Sequence, residues 1–376
     1  MLLIAYLDKK KNKREERIDM RSRTEQLFII FFIPCVIGFY LIYKYPQWFV
    51  SEDSITDVFY FLGKSTSFWY ASLYTSIVCG LAGWVVWQGK TPYGKDPSKP
   101  LSRYQKHKFI SIFFAQLIFF YLIPFIVPDL LDDKPFFADE YSPLNKDAYV
   151  YVYNGFTSLG GFFYVFLLVP LSVWFFGKRY CSWFCACGNL AEVIGVTKWG
   201  NRWVQEKTPR SNFSKKAEWL QYGFLVFAIL FGLVLFFHAW HIIIAPSWLE
   251  SMREIQDLAV DLAFGALIGI GAYPFLGTRI WCRYGCPLAG LMRLFGKFSR
   301  SKFAVVASPS CKGLNLCSTQ CPMGIDVASY AHKDGHPIEG QFGLNDSPCI
   351  GCGGCVDICP VKALSFQKIL NPQNTS

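Results

Sequence analysis

Four cysteines near the end of the 376-residue chain, Cys349, Cys352, Cys355 and Cys359, precede Pro360 in CIGCGGCVDICP, the pattern CxxCxxCxxxCP. That spacing wraps one loop around an iron–sulfur cube. Three closely spaced thiolates hold one [4Fe–4S] cluster, and the fourth reaches across to a second cluster. Pro360 stops the chain from running on as a helix. A zinc site draws on two separated CxxC pairs instead. A disulfide scaffold does not suit thiols that must stay reduced to ligate iron. The chemistry indicated is one-electron transfer, on the reducing, cytoplasmic side of any membrane.

A second motif lies upstream, with Cys311, Cys317 and Cys321 before Pro322 in CKGLNLCSTQCP. Laid on the same template, Leu314 occupies the position of the missing fourth thiolate. By the usual crossover, Cys321 joins Cys349, Cys352 and Cys355 around one intact [4Fe–4S] cluster. Cys359 then joins Cys311 and Cys317 around an irregular one. That site holds a [3Fe–4S] cluster, a [4Fe–4S] cluster with an exchangeable ligand, or a cluster completed by a remote Cys; the first two are favoured because leucine cannot bind iron.

Two further segments share a pattern: GKRYCSWFCACGNLAE and GTRIWCRYGCPLAGLMR each carry Gly-x-Arg, an aromatic residue and CxxxC. Residues four apart share a helix face, which pairs Cys181 with Cys185 and Cys282 with Cys286. Arg179 and Arg283 stand beside them in sequence and are expected to favour thiolates. The four thiols suit a soft metal such as Cu(I), a further cluster, or a dithiol relay. Cys187 is an additional thiol beside the first pair. Cys35 and Cys79 read as packing residues.

The elements that must position these groups are apolar. Hydrophobic residues make up 52% of the chain and Phe alone counts 36. Six runs reach membrane-spanning length: Leu27–Tyr45, Ser67–Gln88, Phe109–Pro128, Gly155–Phe176, Trp219–Ala245 and Leu258–Leu276. The leading segment and the second and fourth connectors are basic (Lys9 to Arg23, Lys90 to Lys108, Lys178 to Lys216), whereas Asp129, Asp132, Asp133, Asp139 and Glu140 make the third acidic. Basic loops stay inside, which puts both termini and the iron–sulfur tail in the cytoplasm. The net charge of +10 is therefore a topology signal, and nucleic acid is not an expected partner. The short apolar start MLLIAYLDKK precedes its basic run and is not a signal peptide. Arg293, Lys297, Arg300 and Lys302 read as further anchors on the inner side.

Histidine is scarce, five in all. His238 and His241 lie near the outer end of the fifth span, and Asp261 near the outer end of the sixth. These three are candidates for handling quinol protons; the alternative is interfacial anchoring with Trp240 and Trp248. His107 is in a connector. No span supplies paired axial histidines, so no haem is expected, and no flavin.

The set CSWFCACG, CRYGCP, CSTQCPMGID and CIGCGGCVDICP resembles the NosR/NapH/CcoG-type membrane polyferredoxins, over most of the chain from the first span onward. Ala186 departs from the proline of their first CxxxCP motif, and Leu314 from a cluster ligand. The resemblance implies membrane-bound electron transfer, from quinol toward a protein partner in some members and copper reduction for a haem–copper oxidase in others. The expected fold is a membrane all-α bundle of six helices followed by a small α+β two-cluster ferredoxin domain. Residues 1–26 form a basic segment, 27–300 the membrane domain and 301–376 the ferredoxin domain. The expected location is the bacterial inner membrane. Quinone and copper are candidate additional ligands, and whether the chain is an enzyme in its own right is left open.

Protein purified without oxygen should contain one ordinary [4Fe–4S] cluster and one [3Fe–4S] or incompletely ligated [4Fe–4S] cluster by electron paramagnetic resonance with iron and sulfide counts. Two ordinary, fully ligated signals without a remote Cys ligand would count against the reading of Leu314.

Overall fold

A computed structural model describes residues 23–50, 60–93, 99–127, 162–244, 247–298, 304–344 and 346–367. Three of its helices are long and apolar enough to cross a membrane: Phe68–Gln88, Arg103–Ile126 and Asn212–His238. The Thr66–Gln88 helix opens on Ser65, whose hydroxyl accepts the Phe68 N–H at 3.4 Å, and closes on Gly89 in the left-handed region at φ 62°. The next begins at Arg103, not at Phe109 as the apolar run suggests, because Ser102 caps it by accepting the Gln105 N–H at 3.3 Å. Its second half, Ala115–Ile126, is π-helical and contains Pro124, which cannot donate to the helical ladder.

The other three expected spans fall on different kinds of helix. Arg23–Lys44 is a single apolar helix containing Pro34. Val169–Phe176 follows a π-helical stretch at Tyr164–Leu168. The sixth run is π-helical over Asp257–Gly271, and its end separates as Tyr273–Leu276 with Pro274 in the first turn. The fifth ends at Ala239, earlier than its apolar run, where Trp240 and the left-handed His241 at φ 55° turn the chain. The acidic third connector and Lys9 to Arg21 lie outside the described residues.

After the helices come three antiparallel strands. Ala304–Ala307 is central, with Gln341–Gly343 and Leu364–Gln367 on either side, and Val305 pairs with both Phe342 and Phe366. One apolar core runs from Val165, Val169 and Val173 through Leu288 and Met292 to Val305, Met323 and Ile350. The strands and the helices are thus packed as one body.

The Arg103–Phe114 helix makes the polar part of this junction. Tyr104 Oη donates to the Gly351 carbonyl at 2.5 Å, Gln105 Nε2 to the Cys352 carbonyl at 2.9 Å and Lys108 Nζ to that carbonyl at 3.0 Å. Tyr104 also stacks on Phe366 with ring centroids 4.2 Å apart. Positions 104 and 108 are one helical turn apart, so one helix face reads one loop. Lys99 Nζ donates to the Asp357 carbonyl at 2.5 Å, and Ser102 Oγ to the Asp357 carboxylate at 3.1 Å. Lys99 and Lys108, which look like solvated inside-positive charges in the sequence, are therefore docking residues. Lys108 is fully buried.

Gly353 sits at φ +79°, and a Cβ there would lie 2.8 Å from Gln105 Nε2. Gly353→Ala should cost roughly 1–3 kcal/mol and lower the thermal midpoint of the loaded protein. Gly80→Ala meets nothing within 4 Å and should leave it near wild type.

Candidate functional site

Cys321, Cys349, Cys352 and Cys355 line one cavity of about 350 Å³. Its other walls are mostly apolar, among them Val305, Met323, Ile325, Phe342 and Phe366. Burial pushes the Cys349 and Cys352 thiols up to about 12. Backbone N–H groups oppose it, Gly351 donating to Cys349 Sγ at 3.4 Å, Gly354 reaching Cys352, and Ile325 and Met323 reaching Cys321. Four thiols lining one cavity, N–H groups aimed at sulfur and a mostly apolar wall fit an iron–sulfur cluster.

Cys311, Cys317 and Cys359 form a second group. Burial raises the Cys317 thiol to about 11, and the charges of Cys359 and Cys311 add to the effect. Ala363 N–H donates to Cys359 Sγ at 3.3 Å. Leu314 is exposed and stands in a loop just before the Leu316–Thr319 turn of helix. The fold thus places Cys321 in the cavity of Cys349, Cys352 and Cys355, and Cys359 and Cys311 close enough to Cys317 for their charges to act on it.

The cysteines of the two repeats, about a hundred residues apart, share a third cavity of about 300 Å³ lined by Cys181, Cys185, Cys187, Cys282 and Cys286 with Trp281, Leu288 and Ala289. Each repeat makes a short helix, Tyr180–Trp183 or Ile280–Tyr284, then breaks at its second cysteine and starts another. Met292 Sδ lies 3.7 Å from Cys181 Sγ. Burial pushes Cys181 up to about 12, against Lys178 and Arg279.

The cations at this cavity differ from the expected ones. Arg283 is paired with Glu218 at 2.8 Å and donates to the Pro209 carbonyl at 2.5 Å. Arg179 lies over the rings of Tyr104 and Trp183. It is Arg279 that reaches the thiols, donating to the Cys181 carbonyl at 2.7 Å and to Cys282 Sγ at 3.7 Å. Lys178 is buried, which lowers its affinity for its proton; among the described residues its Nζ has no hydrogen-bond partner, and its charge is felt at Cys181, Cys282 and Cys286. Among the described residues no three Cys, His, Asp or Glu side chains close on a point as one metal ion requires. The thiols stand around the walls of their cavities.

Glu192 is the residue that sequence reasoning missed. It is buried on the Ala186–Gly195 helix, pairs with Lys108 at 2.7 Å and pairs with Arg279. Burial disfavours its charge, but these two cations outweigh burial and hold its carboxyl below the usual carboxylate range. The only trace in the sequence is the segment CACGNLAE itself.

None of the remaining described candidates lines these cavities. His238 Nδ1 is 3.4 Å from the Ile243 carbonyl of its own chain end, and His241 is exposed. The Asp261 side chain lies outside the described residues, as do the Lys297 side chain, Arg300 and Lys302. Arg293 pairs with Glu218 at 2.8 Å. Cys79 is buried with Sγ 3.5 Å from the Phe113 carbonyl, whereas Cys35 is exposed.

Comparison with known proteins agrees with this chemistry. A 4Fe–4S dicluster domain matches residues 304–360, and a 4Fe–4S binding domain matches twice, at 159–207 and 258–305. The chain is 27% identical over 199 residues to YccM of Escherichia coli (strain K12), a proposed electron transport protein, covering 51% of this chain and 52% of that one. It is 25% identical over 194 residues to the ferredoxin-type protein NapH of Haemophilus influenzae, covering 50% and 62%. With NapH of E. coli the identity is 20% over 188 residues, covering 49% and 60%. The chain therefore spans about half to three fifths of the length of these relatives. No solved structure matches it. The matches identify 4Fe–4S ferredoxin-type domains in this chain. The relatives it resembles over about half its length are ferredoxin-type proteins of the NapH and YccM kind.

Cys355→Ala should remove the iron and sulfide of one cluster, while the signal of the Cys311, Cys317 and Cys359 site stays. Loss of both signals in folded protein, or of neither, would contradict the grouping.

Proposed function

We propose that the protein relays single electrons between a membrane donor, quinol, and a protein partner, through three metal centres packed in one body. Cys321, Cys349, Cys352 and Cys355 hold one [4Fe–4S] cluster, and Cys311, Cys317 and Cys359 hold the irregular one. Cys181, Cys185, Cys282 and Cys286 hold the third centre. A bound cluster supplies a one-electron couple whose charge is spread over several irons; the chain supplies thiols, N–H groups directed at sulfur, and exclusion of water. The observation that carries this reading is that the cavity formed by the two repeats belongs to the same core as the ferredoxin cavity, with Cys181 and Cys286 packed in it together with Cys321 and Cys355.

The remaining parts of the proposal come from the sequence. Six spans with both termini inside a bacterial inner membrane place all three centres at the cytoplasmic face, with residues 1–26, 27–300 and 301–376 as basic segment, membrane domain and ferredoxin domain. His238, His241 and Asp261 remain the candidate proton-handling groups for quinol. About 20 residues of helix cover about 30 Å, too far for one efficient hop from the outer end, so either the redox partner binds at the inner face or a further cofactor or partner subunit bridges the gap.

A second reading is favoured by one contact, Met292 Sδ beside Cys181 Sγ. Thioether and thiolate together suit Cu(I), and the centre would then reduce or hold copper during assembly of a haem–copper oxidase.

Metal analysis separates the two readings. In the relay reading, Cys181→Ser with Cys286→Ser removes iron beyond that of the ferredoxin clusters and slows quinol-driven reduction of those clusters by at least tenfold. In the copper reading, the pair of substitutions leaves iron unchanged and abolishes stoichiometric Cu(I) binding. Ferredoxin clusters that quinol never reduces in the wild-type protein would end the quinol assignment.

A further inference from the structure

Between the cavity of the two repeats and the ferredoxin cavity runs an unbroken chain of buried polar groups. Lys108 Nζ donates to the Cys352 carbonyl at 3.0 Å and to Glu192 Oε2 at 2.7 Å. Glu192 Oε1 accepts from Arg279 Nη2, and Arg279 Nη1 donates to the Cys181 carbonyl at 2.7 Å and to Cys282 Sγ at 3.7 Å. The side chains of Lys108 and Arg279 have zero relative exposure and that of Glu192 has 5%. Charges so deep are weakly screened, and an ion pair there stabilises the fold little or not at all relative to apolar packing. Stability alone does not explain three buried charges in a row.

Local packing is shaped around the chain. A Cβ at Gly188 would collide with the Cys181 carbonyl and come 3.1 Å from Arg279 Nη1, so only glycine admits the guanidinium there. Another cavity, about 280 Å³, adjoins the chain and is lined by Glu192, Thr278, Tyr93 and Cys352. Ser182, next to Cys181, donates to the carbonyl of Ile350, between Cys349 and Cys352, at 2.7 Å. The two metal-binding loops are therefore joined twice, once through charges and once through a hydroxyl.

We propose that Lys108, Glu192 and Arg279 act as positioning residues that couple the two cysteine cavities electrostatically, with Glu192 setting the reduction potentials of the centres on both sides. Reducing a cluster adds negative charge. A carboxylate equidistant in bonding from both cavities opposes that charge at each, while Lys108 favours it on the ferredoxin side and Arg279 on the side of the repeats. Glu192 thus keeps the two potentials in step, and electrons pass between centres without falling into one of them. The proposal rests on the reading that the repeat cysteines hold a metal centre.

The test is redox-poised electron paramagnetic resonance, with metal counts, on the full-length protein. Glu192→Gln keeps size and an acceptor oxygen but removes the charge. It should raise the ratio of reduced to oxidised centre about tenfold at a fixed ambient potential on both sides, which is 59 mV for a one-electron couple. Lys108→Met should lower the ratio at the Cys349, Cys352 and Cys355 cluster. Lys108→Met leaves the Glu192–Arg279 pair intact, and the double variant Lys108→Met with Glu192→Gln restores the wild-type net charge of the trio and should bring that cluster back toward the wild-type ratio. Midpoints unmoved in loaded protein, or moved on one side only, would overturn the coupling; a merely structural role changes metal content without moving midpoints. If Cys181→Ser with Cys286→Ser leaves all metal in place, the reading of the repeat cavity fails instead. Glu192→Gln must then still shift the ferredoxin cluster, and an unshifted midpoint there would sink the role of Glu192 as well.

Discussion

Burial pushes the thiols of Cys181, Cys349 and Cys352 up to about 12, so each keeps its proton unless a metal cation displaces it. The surroundings of the three cavities follow from this constraint. Backbone N–H groups from Gly351, Gly354, Met323 and Ile325 point at sulfur. Lys178 is buried without a hydrogen-bonding partner for its ammonium, close enough for its charge to reach Cys181, Cys282 and Cys286. An unpaired ammonium inside a protein is costly, and an anionic metal–sulfur centre beside it would remove that cost.

The constraint also accounts for the intimacy between the helices and the small sheet. A ferredoxin on a flexible tether would expose its cluster loop to water and ions. Here Tyr104, Gln105 and Lys108 occupy the carbonyls of Gly351 and Cys352, and Ser182 occupies that of Ile350. The loop is shielded, and its distance from the repeat cavity is fixed by packing. Electron transfer falls steeply with distance, so a fixed geometry replaces the search that a swinging domain would require.

The cysteine chemistry was legible in the sequence because ligand spacing is local. CxxCxxCxxxCP wraps a cluster wherever it occurs, and the gap at Leu314 is visible by simple alignment of two motifs. Apolar runs located the helices, though not their ends, since caps such as Ser102 and breaks such as Trp240–His241 lie in polar or aromatic sequence that hydropathy ignores. The partners of the charges were not legible. Arg179, Arg279 and Arg283 look alike near their cysteines, and only the crossing of the two repeats decides that Arg279 faces sulfur while Arg283 turns to Glu218. Lys108 was read as one more inside-positive charge because its acceptors, Glu192 and Cys352, lie far along the chain. Glu192 carries no motif of its own.

The separation between Gln105 and its acceptor Cys352 is 247 positions. A helix made early in synthesis thus has a polar face whose acceptors arrive only after the ribosome has passed the rest of the bundle. Until then Gln105 and Lys108 must stay hydrated, which holds the start of that helix at the bilayer surface. The polar face of that helix is therefore the last part of the junction to be completed, when the loop of Gly351 and Cys352 arrives.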